Sequence, residues 1–272
     1  MHLFRPFGRI IVCVSVCAQM SMYQISLGAP RASANPQSGV ALSSKKDAQA
    51  LAVLNQIFTN IGGLSVLLKI DDYTATGHIT YHLAEDRQGT AIIRGRALDD
   101  LRVDATLPEG VRSESTSRGM VFLKSEDGTV AQISSSAPLA ASRMLLPYLI
   151  LASVVNSAGY SISYNGVVQL GGSSAHYIQI QRQIPGLSDP DGTVSELLTL
   201  SYWIDASTYQ VLMMQDTLSQ QDVRTIRYSD YRTVNGIPVP FAIEQKGGYQ
   251  ACSIQLDGIT FNSGLQDLDF QL

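Results

Sequence analysis

From about Tyr73 to Ser134, apolar and polar residues alternate with a period of two: Ile79, Tyr81 and Leu83 are interleaved with His78, Thr80 and His82. Successive side chains of a strand point to opposite faces, so the alternation predicts half-buried strands. Further runs at 90–97, 101–107 and 119–125 are separated by Arg87-Gln88-Gly89, Pro108-Glu109-Gly110 and Glu126-Asp127-Gly128, which is turn chemistry at short intervals. No helical stretch lies between them, which predicts an antiparallel meander rather than βαβ units. Alternation resumes beyond Gly159. His176, Ile178 and Ile180 share one face, as do Leu198, Leu200, Tyr202 and Ile204, and 205–208 turns the chain back into 209–215. Strand 224–231 leads to the hairpin signal Val234-Asn235-Gly236-Ile237, and 241–246 and 249–257 are joined by Gly247-Gly248. Gly258 marks a bulge, because apolar parity passes there from Ile254 and Leu256 to Ile259 and Phe261. About eleven strands are expected, in one architecture without repeats.

Two stretches break the period. Asp47 caps an amphipathic helix reaching about Asn60, in which Leu51, Leu54, Ile57, Phe58 and Ile61 recur at helical spacing before Gly62-Gly63 stops it. A second helical segment runs from about Pro138 to Asn156, and its centre, Met144 to Ala152, is apolar on every side. About twelve continuous residues are too few to cross a bilayer. Such a helix is either an ordinary buried core helix or a lid over a hydrophobic opening, and Pro147 is expected to kink or split it.

The first residues read as an address. Arg5 and Arg9 form a basic start, Ile10 to Met22 is mostly apolar, and Ala32-Ser33-Ala34 offers a signal-peptidase site. Residues 1–34 are therefore expected to be a leader cleaved after Ala34. An uncleaved anchor over Ile10 to Leu27 and lipidation at Cys17 are the alternatives. Cleavage removes three arginines (Arg5, Arg9 and Arg31) and no acid, taking the formal charge from −4 to −7. Residues 35–46 read as a flexible start and 47–272 as a single domain. Charged residues make up 15% and apolar residues 45%, which excludes a disordered chain, and without a Lys/Arg cluster a nucleic-acid partner is excluded too. Removal of Cys13 and Cys17 leaves Cys252 alone in an alternating strand, as a small buried hydrophobe.

Catalytic and metal chemistry finds little support. His78 and His82 share one face of a strand with backbones roughly 13 Å apart, too far for one zinc ion. His176 lies on an apolar face without a partner motif. The pairs Asp71-Asp72, Glu85-Asp86 and Asp99-Asp100 point to opposite faces, and Asp189-Pro190-Asp191-Gly192 reads as a turn rather than a calcium loop. There is no G-x-S-x-G elbow, P-loop or dinucleotide fingerprint. Neither a cofactor nor a metal is expected. The aromatic residues Tyr202, Trp203, Tyr209, Tyr228, Tyr231, Phe241 and Tyr249 either pack the sheet or line a concavity beneath the apolar helix.

The order of these elements resembles the LolA-like superfamily of periplasmic lipoprotein carriers and related lipid-binding proteins. The local matches are Tyr202-Trp203-Ile204-Asp205-Ala206-Ser207-Thr208, the run from Tyr228 to Pro240 with Asn235-Gly236-Ile237-Pro238, and Phe261-Asn262 followed by Leu268 and Phe270. The resemblance covers nearly all of the mature chain. It implies an α+β fold, an unclosed antiparallel half-barrel with an N-terminal helix and an inserted helical lid over a cavity for lipid or acyl groups. Dedicated carriers have an arginine followed by proline on an early strand, reaching toward the lid. Here Arg94, Arg96 and Arg102 are not followed by proline, so a binder of lipid or hydrophobic ligands is implied rather than lipoprotein carriage as such. The expected protein is an exported, non-enzymatic monomer holding a lipid or lipidated protein. Leu145, Tyr148, Leu149 and Ile150 would form the lid, Leu200, Tyr202 and Ile204 the wall, and Arg102 a lid latch. An envelope interaction or sensor module with a filled core is the alternative, with a hydrolase behind it.

Overall fold

The structure, a computed structural model, describes residues 45–97, 100–117, 120–133, 145–184, 186, 189–219, 222–247 and 251–272. The leader, its cleavage site, the start up to residue 44, Tyr249 and the expected helical stretch 138–144 lie outside these residues.

Helix α1 (Ala48–Asn60) begins where expected. The Asp47 carboxylate accepts hydrogen bonds from the Gln49 and Ala50 amides at 2.8 and 3.1 Å, supplying partners for two of the free N–H groups at the helix start. It ends at Gly62 and Gly63, whose φ values of 92° and 112° few other residues adopt. A short turn of helix, α2 (Leu64–Leu67), leads into the sheet.

Among the described residues the sheet has thirteen strands: β1 (Asp72–Tyr81), β2 (Arg87–Arg96), β3 (Asp100–Leu107), β4 (Gly110–Ser117), β5 (Met120–Lys124), β6 (Val130–Ile133), β7 (Tyr160–Leu170), β8 (Ser173–Arg182), β9 (Thr199–Asp205), β10 (Val211–Ser219), β11 (Asp222–Val234), β12 (Ile237–Lys246) and β13 (Cys252–Phe261). The count exceeds the expected eleven chiefly because β4 and β6 leave little trace in the sequence. Strand β4 reads GVRSESTS, with no apolar row on either face to betray it. Helix α3 (Pro147–Val155) separates β6 from β7, and α4 (Thr193–Leu197) lies before β9.

Two meanders, β1 to β6 and β7 to β13, are joined by antiparallel pairing of β1 with β13, giving the order β6-β5-β4-β3-β2-β1-β13-β12-β11-β10-β9-β8-β7. The sheet is unclosed, with β6 and β7 at its edges. The bulge read at Gly258 is present: Thr76 faces Gly258 and Gly77 faces Leu256, leaving Asp257 as the extra residue. The hairpin at Asn235-Gly236 is also present, with positive φ at both residues as its turn requires. At the β7 edge, a parallel bridge between Lys46 and Ile162 covers the start of the strand.

One face of the sheet carries Ile79, Ile93, Val103, Ile178, Tyr202, Ile204, Ile226 and Ile254 into a single apolar cluster with α1 and α3. The C-terminal segment runs over the opposite face. Asn262, at φ 57°, donates to the Lys69 carbonyl and accepts from the Asp71 amide. The buried Asp72 carboxylate accepts from the Ser263, Gly264 and Leu265 amides. Beyond it, the ring of Phe270 lies under the Arg96 guanidinium at 5.0 Å. The Phe261-Asn262 signature therefore ties the last strand to the first.

Candidate functional site

Helix α3 is the element on which the site depends. Pro147 occupies its first turn, so the described helix begins at the proline, and the part of the expected segment before residue 145 lies outside the described residues. The missing N–H costs nothing there, since the first amides of a helix have no intrahelical acceptor. No side chain caps this end, so what holds nine residues helical is burial of their side chains.

The expected lid and wall residues come together in one cluster. Leu145, Tyr148 and Ile150 are buried against the same apolar interior as Leu200, Tyr202 and Ile204, while Leu149 is partly buried beside them. Leu145, Ile150, Leu151, Ile178, Tyr202, Ile204 and Val211 retain 0% exposure. A side chain lining a void wide enough for water keeps accessible surface, so no such void touches these residues. Side chains of α3, with Leu145 and Leu146, are thus buried in one apolar cluster with the sheet.

Among the described residues, few polar contacts hold α3. The Val211 amide donates to the Tyr148 hydroxyl at a long 3.4 Å, and the Tyr231 hydroxyl donates to the Val211 carbonyl at 2.7 Å. The rings of Tyr148 and Tyr231 lie 6.2 Å apart, and burial pushes the Tyr148 phenol up to about 12. At the other end, Lys46 donates to the Val155 carbonyl at 2.5 Å. Simple alternation does not place Tyr231 in the interior. Asp230 takes φ 51° and stays exposed, so that Tyr231 instead turns inward.

Beside Tyr148 a cleft of about 300 Å³ opens between the end of α1, the β9–β10 turn and the β11–β12 turn. Its lining includes Asn60, Thr208, Tyr209, Gln210 and Thr233. The Asp205 carboxylate accepts from the Ser207 hydroxyl and from the Ser207 and Thr208 amides. These bonds, the Ser207 hydroxyl foremost, lower its pKa to about 2. Tyr209 follows at φ 59°, a conformation costly for an aromatic residue, with its ring stacked 5.8 Å from that of His176. The Tyr164 hydroxyl and His176 Nδ1 are 3.0 Å apart, and burial lowers the imidazole pKa. His176 thus lies in a row of aromatic rings between Tyr164 and Tyr209.

Other expected residues lie elsewhere. Arg102 alternates out of phase with buried Leu101 and Val103, bonding the Asp104 carboxylate at 2.9 Å and the Gln271 carbonyl. The structure brings it to the C-terminal segment and not to α3. Trp203 faces away from Tyr202 and stacks on Tyr177 at 4.8 Å, so it does not line the interior. His78 and His82 are on the exposed face, near Asp257 and Asp86 respectively. Among the described residues no group of three or more His, Cys, Asp or Glu is placed to hold a metal ion, and no helix is long and apolar enough to cross a membrane. Cys252 is buried, and burial raises its thiol pKa to about 12.

A buried ion pair was not foreseen. Arg224 donates through Nε and Nη2 to the two oxygens of Asp216, at 3.0 and 2.8 Å. The signal was present in the sequence, because Arg224 shares its strand face with Ile226 and Tyr228. The Tyr228 hydroxyl is buried with no hydrogen-bond partner among the described residues.

No protein-family model matches the sequence, and no curated protein matches it either. Solved structures do. A LolA superfamily protein of Nitrosomonas europaea is 10% identical with a TM-score of 0.53, over 82% of this chain and 97% of that one. A domain named as outer-membrane lipoprotein-sorting, from Vibrio parahaemolyticus, is 12% identical with a TM-score of 0.49, over 82% and 96%. A DUF1329 family protein of Desulfovibrio piger is 11% identical with a TM-score of 0.49, over 82% and 97%.

Proposed function

On the premise of the LolA-like fold that this likeness shows, we propose that the chain is an exported, non-enzymatic binding protein for a lipid or lipidated partner, with residues 1–34 removed and 47–272 forming the binding domain. The observation that carries the reading is α3, an apolar helix buried in one cluster with an unclosed sheet and held, among the described residues, by few polar ties. Leu145, Tyr148, Leu149 and Ile150 act as a plug on a wall that includes Leu200, Tyr202 and Ile204. An acyl chain competes for the same surface.

Magnitudes make the exchange feasible. Exposing a fully buried Leu, Ile or Val costs about 2 kcal/mol, so withdrawal of about five such side chains costs roughly 10 kcal/mol. A chain of about fifteen methylenes, at about 0.8 kcal/mol each, returns roughly 12 kcal/mol. Plug and ligand are then near balance, as a carrier that must also release its cargo requires. The N. europaea structure supports the fold behind this reading, and the absence of an arginine-proline pair on the early strands favours hydrophobic ligands in general over lipoproteins alone.

The burial of α3 also suits a second reading, an envelope interaction module whose core never opens. Hydrogen exchange separates them. Purified, delipidated protein titrated with a photoreactive palmitate should bind it saturably, crosslink at Ile178 or Tyr202, and gain exchange at the amides of 148–155. Absence of binding, or binding with α3 protection unchanged, would sink the carrier and leave the module.

A further inference from the structure

We infer that the cleft beside Tyr148 is a distinct polar subsite, which takes the uncharged, oxygen-rich head of an acylated ligand such as a glyceride ester while the chain replaces α3. The inference rests on the carrier reading above. The cleft adjoins the plug directly, because Tyr148 of α3 forms part of its lining. A ligand whose chain lay where α3 lies would therefore present its head here.

The chemistry of the lining selects the head. Asn60, Thr208, Gln210 and Thr233 supply amides and hydroxyls, and among the described residues no Lys, Arg, Asp or Glu lines the cleft. Amides and hydroxyls both donate and accept, which suits esters and alcohols. A carboxylate or phosphate would lose water without meeting a cation, the costlier exchange. At about 300 Å³ the cleft is roughly ten times the ~30 Å³ share of one water molecule, ample for a glycerol-sized group. Tyr209, held in a left-handed conformation by the turn built on Asp205, lines the same cleft. Backbone strain of this kind concentrates where a ligand is clamped.

The test compares 1-monooleoylglycerol with oleate on the full mature chain by calorimetry or displacement of a fluorescent fatty acid. The monoglyceride should bind about tenfold more tightly, the equivalent of about one to two net hydrogen bonds. In the combined variant Asn60→Leu, Gln210→Met and Thr233→Val, the preference should collapse to within about twofold, with cooperative thermal unfolding at the wild-type midpoint as the control for folding. Oleate binding without a preference for the monoglyceride, or a preference that survives the substitutions, overturns the polar subsite while leaving the carrier standing. Failure of both lipids to bind overturns both.

Discussion

Asp205 is the residue on which the β9–β10 turn is built. Its carboxylate gathers the turn that holds Tyr209 in the left-handed region beside the cleft. Its pKa falls from an ordinary 3.8 to about 2, the hydrogen bond from Ser207 being the largest cause. A depressed carboxylate contributes stability above its unfolded value, and that contribution disappears as pH falls through the folded value. Asp205→Asn should therefore cost about 1 kcal/mol above pH 4, with the gap to wild type closing between about pH 4 and pH 2. Urea unfolding across that range checks it; a gap independent of pH would mean the charge is irrelevant to the turn. At this scale the sequence was informative where a residue's job is local. Asp47, Gly62 and Asn235 could be read as cap, stop and turn because their partners lie within a few positions. Arg102 and Tyr231 could not, since one is recruited by Gln271 and the other by Val211, from distant parts of the chain.

Among the elements, α3 combines apolar composition with near-complete burial and an uncapped start. The sequence identified it as apolar on every side and left open whether it covers a void. In the structure several side chains of the helix and of the sheet facing it have 0% exposure, so no water-sized void touches those residues. Leu151→Ala should lower stability by about 2–5 kcal/mol, the range for a buried leucine truncated in a core that cannot fully collapse. It should also open a dry apolar cavity able to take a benzene-sized ligand. Thermal unfolding with and without benzene reads both effects. Stability within about 0.5 kcal/mol of wild type would show that α3 is loosely seated rather than packed. Strands follow a similar division. Those with an apolar row were legible by period, whereas β4 is a strand because β3 and β5 pair with its backbone on either side.

Among the described strands, the sheet is joined into one unit by a single long-range pairing. Apart from β1 with β13, every strand pairs with a neighbour in sequence. The two meanders meet at nine paired positions of this junction, from Tyr73 opposite Phe261 to Tyr81 opposite Cys252. Removing residues 251–272 deletes β13 together with the Asn262 and Asp72 ties, and exposes edges of β1 and β12. Such a chain should lose cooperative unfolding and aggregate. Circular dichroism and light scattering test this, and a soluble, cooperatively folded product would show that the meanders stand independently.

The sequence by itself determined the alternating strands, the capped first helix, the hairpin at Asn235-Gly236, the bulge near Gly258 and the apolar character of α3. Each follows from period, turn chemistry or composition within a short window. Only the tertiary structure decided that β1 pairs with β13, that Arg102 serves the C-terminal segment, that Asp216 and Arg224 are buried together, and that α3 is buried in one cluster with the sheet. Those outcomes depend on which distant surfaces exclude water from one another, and hydrophobic burial is non-directional. An apolar face states that it will be covered, and the fold chooses by what.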